Sequence, residues 1–142
     1  MTHTLDSGQA HRAYLCGRLL AIYDALQYQA LGELNMTVAD RYYSLASTNP
    51  MAAFPKVDDL GQKHLRKLRR DKRGVMVAVE REIQQVHQLL ADQCGARFPG
   101  PLNLEDQGRF AIGFHHQRAE SMARATARKQ ENEILNSELK ER

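Results

Sequence analysis

Val57-Asp58-Asp59-Leu60-Gly61-Gln62-Lys63-His64-Leu65-Arg66-Lys67-Leu68-Arg69-Arg70 has the period of a two-faced helix. At about 100° per residue, Val57, Leu60, Gly61, His64, Leu65 and Leu68 share one side. Lys63, Arg66, Lys67, Arg69 and Arg70 fall on the other. The apolar stripe requires a core to dock on, and the basic stripe faces out. Pro55 is expected to start this helix, with Asp58 and Asp59 close to its positive N-terminal end and the cations crowding its C-terminal end.

The basic group runs on through Lys72 and Arg73. Between positions 63 and 73, seven of eleven residues are Lys or Arg, against one acid, Asp71. The rest of the chain carries 13 basic and 16 acidic side chains, so the net charge of +3 is a local feature. A diffuse excess mainly affects solubility; a clustered one points to a polyanionic partner. An ordinary solvated face is the competing explanation, but such faces mix signs and this one hardly does.

At 142 residues the chain is read as one domain, 1–142, with a core over about 8–120 and a charged helical extension or frayed tail over 121–142. No apolar run approaches the ~20 residues of a membrane span. The N-terminal residues lack the cationic start and apolar stretch of a signal peptide, so no membrane and a cytoplasmic location are expected. Cys16 and Cys94 are too few for a disulfide framework or a zinc site. Alternating β-branched and polar stretches are absent. The fold class expected is all-α: a small helical bundle of four to five main helices plus short turns.

Toward the N-terminus, residues 9–31 repeat Leu15, Leu19, Ile22 and Leu26 along one face, with Ser7 as N-cap and Gly32 just past the end. Tyr14, Tyr23 and Tyr28 mix with core positions, so packing is the expected role. Thr37 and Asp40 form a capping box for a helix to about Thr48. Asn49-Pro50 is read as cap and first residue of a single turn that Pro55 interrupts. Toward the C-terminus, 71–74 reads as a turn. A helix over 75–94 buries Met76, Val79, Ile83, Val86 and Leu90, with His87 at the stripe's edge as a packing residue. Pro99-Gly100-Pro101 marks a loop that Phe98 anchors. Asn103 opens the last core helix, in which Leu104, Gly108, Ala111, His115 and Met122 line one side. Phe110, Ile112 and Phe114 spread apolar surface further around it, which is more than one buried face needs. These three are the expected subunit interface. Gly108 and Gly113 are expected to allow close backbone approach.

Chemistry is poorly supported. There is no phosphate-cradling glycine loop, no HExxH and no paired-cysteine spacing. His115 and His116 point about 100° apart on a helix and cannot chelate one metal side by side. With Gln117 and Arg118 they read as a polar contact patch. No catalytic residue, no metal and no cofactor is expected.

Two blocks carry a family resemblance. One runs Asp40-Arg41-Tyr42-Tyr43-Ser44-Leu45-Ala46-Ser47-Thr48-Asn49-Pro50, then Phe54-Pro55, then His64-Leu65-Arg66-Lys67-Leu68. The other is Leu104-Glu105-Asp106-Gln107-Gly108-Arg109-Phe110-Ala111-Ile112-Gly113-Phe114-His115-His116-Gln117-Arg118. Both resemble the C-terminal region of the type I-C CRISPR-associated large subunit. Ala13-Tyr14-Leu15-Cys16-Gly17-Arg18-Leu19 fits the same region, so the similarity covers roughly residues 10–118. On this reading the chain is expected to lack the upstream part of the large subunit. That is similar to the small subunit of the same effector complex, which is the large subunit's C-terminal part made as a separate protein.

The resemblance implies a helical bundle, present in several copies within an RNA-guided Cascade complex. The implied partners are the guide RNA–target DNA complex, displaced single-stranded DNA, the large subunit and backbone subunits, and copies of itself. It implies help in R-loop formation and no catalysis. Arg41, Lys67 and Arg118 stand within the matching blocks; Arg69, Arg70, Lys72 and Arg73 rest on charge clustering alone. With Lys63 and Arg66, these make up the expected nucleic-acid-binding set. Two alternatives stand beside it: an assembly module whose basic face docks acidic protein, and a metal enzyme using His115 or His116.

Overall fold

Among residues 11–95 and 97–141, the ones that the computed structural model describes, every regular element is an α-helix. They are α1 (Arg12–Leu31), α2 (Val38–Thr48), α3 (Pro50–Asp71), α4 (Arg73–Cys94) and α5 (Leu104–Lys140). The expected Ser7 cap and the start at residue 9 lie outside the described residues. At the described start of α1, His11 Nδ1 accepts the Ala13 N–H at 3.1 Å. At its end, Gly32 takes φ 77° and its N–H donates to the Tyr28 carbonyl at 2.8 Å. Only glycine adopts that conformation without strain.

The other four helices all pack on α1. It is buried almost all round, with Leu15, Leu19, Leu20, Ile22, Tyr23 and Leu26 inaccessible. The repeat of Leu15, Leu19, Ile22 and Leu26 along one face therefore understates its burial. Tyr14 and Tyr23 pack as expected, but Tyr28 does not: it is 56% exposed.

The polar contacts set the directions. Tyr14 meets His116, Arg18 meets Gln117, and Ile22, Ala25 and Gln29 line a groove with Ser121, Ala125 and Arg128, so α1 and α5 run parallel. Tyr23 meets Asp58, Gln27 meets His64, and Lys67 meets Ala30, so α1 and α3 are parallel too. Arg69 faces Glu80 and Asp58 faces His87, which makes α4 antiparallel to α3.

Glycine sets how closely α1 and α5 approach. A Cβ on Gly17 would run into the Phe110 carbonyl, and one on Gly113 into the Tyr14 carbonyl. The backbones touch where each helix lacks a side chain. The expectation for Gly113 holds. A Cβ on Gly108 would meet no other group within 4 Å, so this glycine plays no part in the crossing.

The capping box of α2 forms as read, with Thr37 and Asp40 exchanging bonds of 3.1 and 3.2 Å. Side chains of α1 take two more of its N-terminal amides: Gln27 Oε1 accepts from Val38 and Asp24 Oδ1 from Ala39. Pro55, in contrast, neither starts nor interrupts a helix, because α3 runs unbroken from Pro50. The missing N–H and the ring clash cost about 3 kcal/mol in a helix interior. Tertiary contacts outweigh that. Ala53, Phe54 and Val57 are fully buried, Phe98 stacks on Phe54 at 4.7 Å, and the Met51 N–H donates to the Pro99 carbonyl at 2.9 Å. Asn49 caps nothing with its side chain, whose Oδ1 is buried without a partner.

The expected turn over 71–74 contracts to Lys72 alone, and α4 begins at Arg73. Its stripe of Met76, Ile83, Val86 and Leu90 is buried, with Val79 packed against it. Gly95 ends it at φ 74°. Asn103 caps α5 by accepting the Asp106 N–H at 2.8 Å. α5 carries the charged extension as continuous helix to Lys140. No described helix is long and apolar enough to cross a membrane.

Candidate nucleic-acid interface

The inward side of α3 holds its basic side in place. Val57, Gly61, His64, Leu65 and Leu68 are buried, as their spacing predicts. The Tyr23 ring lies over Gly61, and its hydroxyl donates to Asp58 Oδ1 at 2.5 Å. Burial raises the Asp58 pKa, while this bond and nearby His87 pull it down. Gln27 uses its Oε1 for Val38, so its Nε2 donates to His64 Nε2 at 3.5 Å. Burial, helped by Lys63, lowers the His64 pKa.

With that side fixed, Lys63, Arg66, Arg69 and Arg70 point to solvent. Arg69 stands 3.9 Å from Glu80 and Arg70 3.6 Å from Asp71, exposed pairs worth little. Two cations of the stretch have another task. Lys67 Nζ donates to the Ala30 carbonyl at 2.8 Å, and Lys72 Nζ lies 3.5 Å from the Gln29 carbonyl. These carbonyls belong to the last turn of α1, which has no basic residue of its own. An open groove of about 380 Å³ between Tyr28, Gly32, Lys67, Asp71 and Lys72 marks the place. Lys67 is thus only half exposed, a correction to its place on the outer stripe.

Arg73 is the first residue of α4, where the helix dipole disfavours a cation and no acid stands in the first turn. Arg41 and Arg118 are exposed on α2 and α5. By the parallel register, Arg118 lies level with about residue 19 of α1 while Lys67 is level with Ala30. That separates them by about 16 Å along the axis. The fold thus gathers the stretch 63–73 on one corner and leaves Arg118 away from it.

The expected interface at Phe110, Ile112 and Phe114 divides. Phe110 and Phe114 are buried, edge-on to Tyr43 at 5.4 and 5.0 Å, and are unavailable to a partner. The Gly17–Gly113 crossing turns that side of α5 onto α1. Ile112 is 52% exposed. The side lined by Leu104, Gly108, His115 and Met122 faces solvent, with Leu104 at 83%.

His115 is exposed. His116 Nδ1 and the Tyr14 hydroxyl are hydrogen-bonded at 3.1 Å. Gln117 is no contact residue: it is buried, accepts from Arg18 Nε at 3.0 Å and donates to Glu82 at 3.3 Å. Arg124 grips the same Glu82 and Glu120, which raises its pKa. Periodicity carries no signal for this seam, because its partners are far apart in the chain. Among the described residues, no three His, Cys, Asp or Glu gather as a metal site.

The family model described as CRISPR-associated protein (Cas_Csd1) matches residues 1–122. No curated protein matches the chain. The matched span takes in α1 to α4, the basic corner and α5 as far as Met122. The chain belongs to the CRISPR-associated Csd1 family.

Proposed function

We propose that this chain is the small-subunit module of a type I-C Cascade complex and holds nucleic-acid backbone there by charge. It binds beside the guide RNA–target DNA duplex, steadies the target or displaced single strand during R-loop formation in antiviral defence, and works in the cytoplasm. Its protein partners are the large subunit, the backbone subunits and further copies of itself. It cleaves nothing, and it needs no cofactor.

One observation carries the reading. Lys63, Arg66, Arg69, Arg70 and Arg73 stand on one exposed corner, nearly without acids, and Arg73 sits where a helix least favours it. Arg69 and Arg70 also suit the C-terminal end of α3, but helix stability does not account for Lys63, Arg66 and Arg73 beside them; a polyanion does. Contacts of this kind hold phosphates and read no sequence, as suits a complex whose specificity lies in guide pairing. The deciding experiment titrates the chain with labelled single-stranded and duplex DNA across a salt series. Affinity that falls steeply with salt supports the reading; no binding at low salt removes it. Plasmid incubated with divalent metal should stay intact.

A second reading, a pure assembly module, is favoured by a different observation, the outward apolar side of Leu104, Ile112 and Met122. The two roles use opposite kinds of surface and are separable by mutation.

A further inference from the structure

The far end of α5 presents an unusual face. At about 100° per residue, Ile134, Glu138, Glu131, Leu135 and Leu139 fall within an arc of about 140°, and Lys129, Glu133 and Lys140 lie on the opposite side. The three aliphatics are 59%, 56% and 67% exposed. A helix end meant only for solvent has no reason to group large aliphatics with carboxylates on one side.

The position of this face matters. In the parallel register, the end of α1 at Leu31 is level with about residue 130 of α5. Residues 131–140 therefore run about 15 Å past the end of α1 and about 10 Å past the end of α3 at Asp71. The corner of Arg69, Arg70, Lys72 and Arg73 lies at the same end, since Lys72 and Lys67 reach the last carbonyls of α1. Tyr28 and Leu31 are exposed beside it. α5 is one continuous helix to Lys140 and cannot fold back onto its own corner.

We propose that a second copy of this chain covers the face. Two molecules meet end to end about a two-fold axis, and each lays residues 131–139 on the basic corner of the other. Glu131 and Glu138 face Arg70 and Arg73, and Ile134, Leu135 and Leu139 cover Tyr28 and Leu31. Because both halves of the contact lie at one end of the molecule, it is reciprocal and closes as a dimer. The tail half of the contact lies beyond the family match, which ends at residue 122, and the basic half lies within it. The proposal rests on the self-association in the reading above. The contact occupies Arg70 and Arg73, so a dimer and nucleic acid exclude each other on that corner; the test uses no nucleic acid, so its failure leaves backbone binding by the monomer untouched.

The test is sedimentation velocity on the full chain over a concentration series at low and high salt. Wild type should dimerise, and salt should weaken the dimer. Reversing the tail (Glu131→Arg with Glu138→Arg) or the corner (Arg70→Glu with Arg73→Glu) should each weaken it at least about tenfold. An equimolar mixture of the two variants should recover the dimer, because each reversed face then meets its opposite. Leu135→Lys, at an exposed position, should weaken it without changing the circular dichroism, and decides the matter should the corner variant unfold. A monomeric wild type, a dimer indifferent to the reversals, or a mixture that stays monomeric overturns the proposal. Indifference to the reversals would move the contact elsewhere, such as the outward side of α5 at Leu104 and Ile112.

Discussion

The Lys67 ammonium donates to the Ala30 carbonyl at 2.8 Å, so one cation in the middle of the basic stretch completes the C-terminal end of another helix. A carbonyl left unpaired there would lose the interaction that α1 cannot supply itself.

Lys67→Ala should therefore lower stability, by about 1 kcal/mol in urea unfolding. Lys63→Ala, Arg66→Ala and Arg70→Ala together should leave the fold intact, because these side chains face solvent and Ala favours helix. In a salt series with single-stranded DNA, the triple change should flatten the slope of log affinity by about two units, near 0.7 for each phosphate no longer neutralised. A folded triple variant with unchanged affinity and slope would leave the corner to protein partners.

Gly17→Ala and Gly113→Ala should each be severe, at about 3 kcal/mol or more, because the new methyl meets backbone that cannot swing aside. Gly108→Ala should act in the opposite sense. It adds a methyl to open space in a helix interior and should stabilise by about 1 kcal/mol. Thermal melts of the three variants check the contrast, and equal effects would refute the crossing.

Ile112→Asp should keep the melting temperature of wild type yet impair co-purification with the large subunit, because Ile112 is exposed. Phe110→Ala should cost about 3–5 kcal/mol, because Phe110 is fully buried. A folded Ile112→Asp that assembles normally would remove this side of α5 from the interface.

Stability should fall on acidification below neutrality. Burial holds the folded-state pKa of His64 below its usual 6.5, and His11 shifts the same way. The unfolded chain then binds the extra proton first, so the contribution is complete above pH 6.5 and is lost as pH falls toward the folded pKa. Protonated His64 can no longer accept from Gln27. Asp58 works in the reverse direction at lower pH, because its raised pKa favours the folded, protonated form as pH falls toward 3.8. Melting temperatures at pH 7.5 and 5.5 should differ by a few degrees in wild type and by less in His64→Gln.

Much was legible because its energy is local. The helix periods, the Thr37 capping box, the stops at Gly32 and Gly95, and the division of α3 into apolar and basic sides each depend on residues within one or two turns. Tertiary structure decided the rest. Pro55 reads as a boundary, yet α3 continues through it because the burial of Ala53, Phe54 and Val57 and the stack of Phe98 on Phe54 together outweigh what the helix loses there. Gly17 and Gly108 look alike in sequence, and only the crossing with α5 makes one indispensable and leaves the other open. That same crossing hides Phe110 and Phe114 and turns Leu104 outward. Lys63 and Lys67 sit four residues apart on a basic stripe, but the end of α1 lies beneath one of them alone. Each of these differences comes from a partner more than 30 residues away in the chain, which periodicity within a helix cannot register.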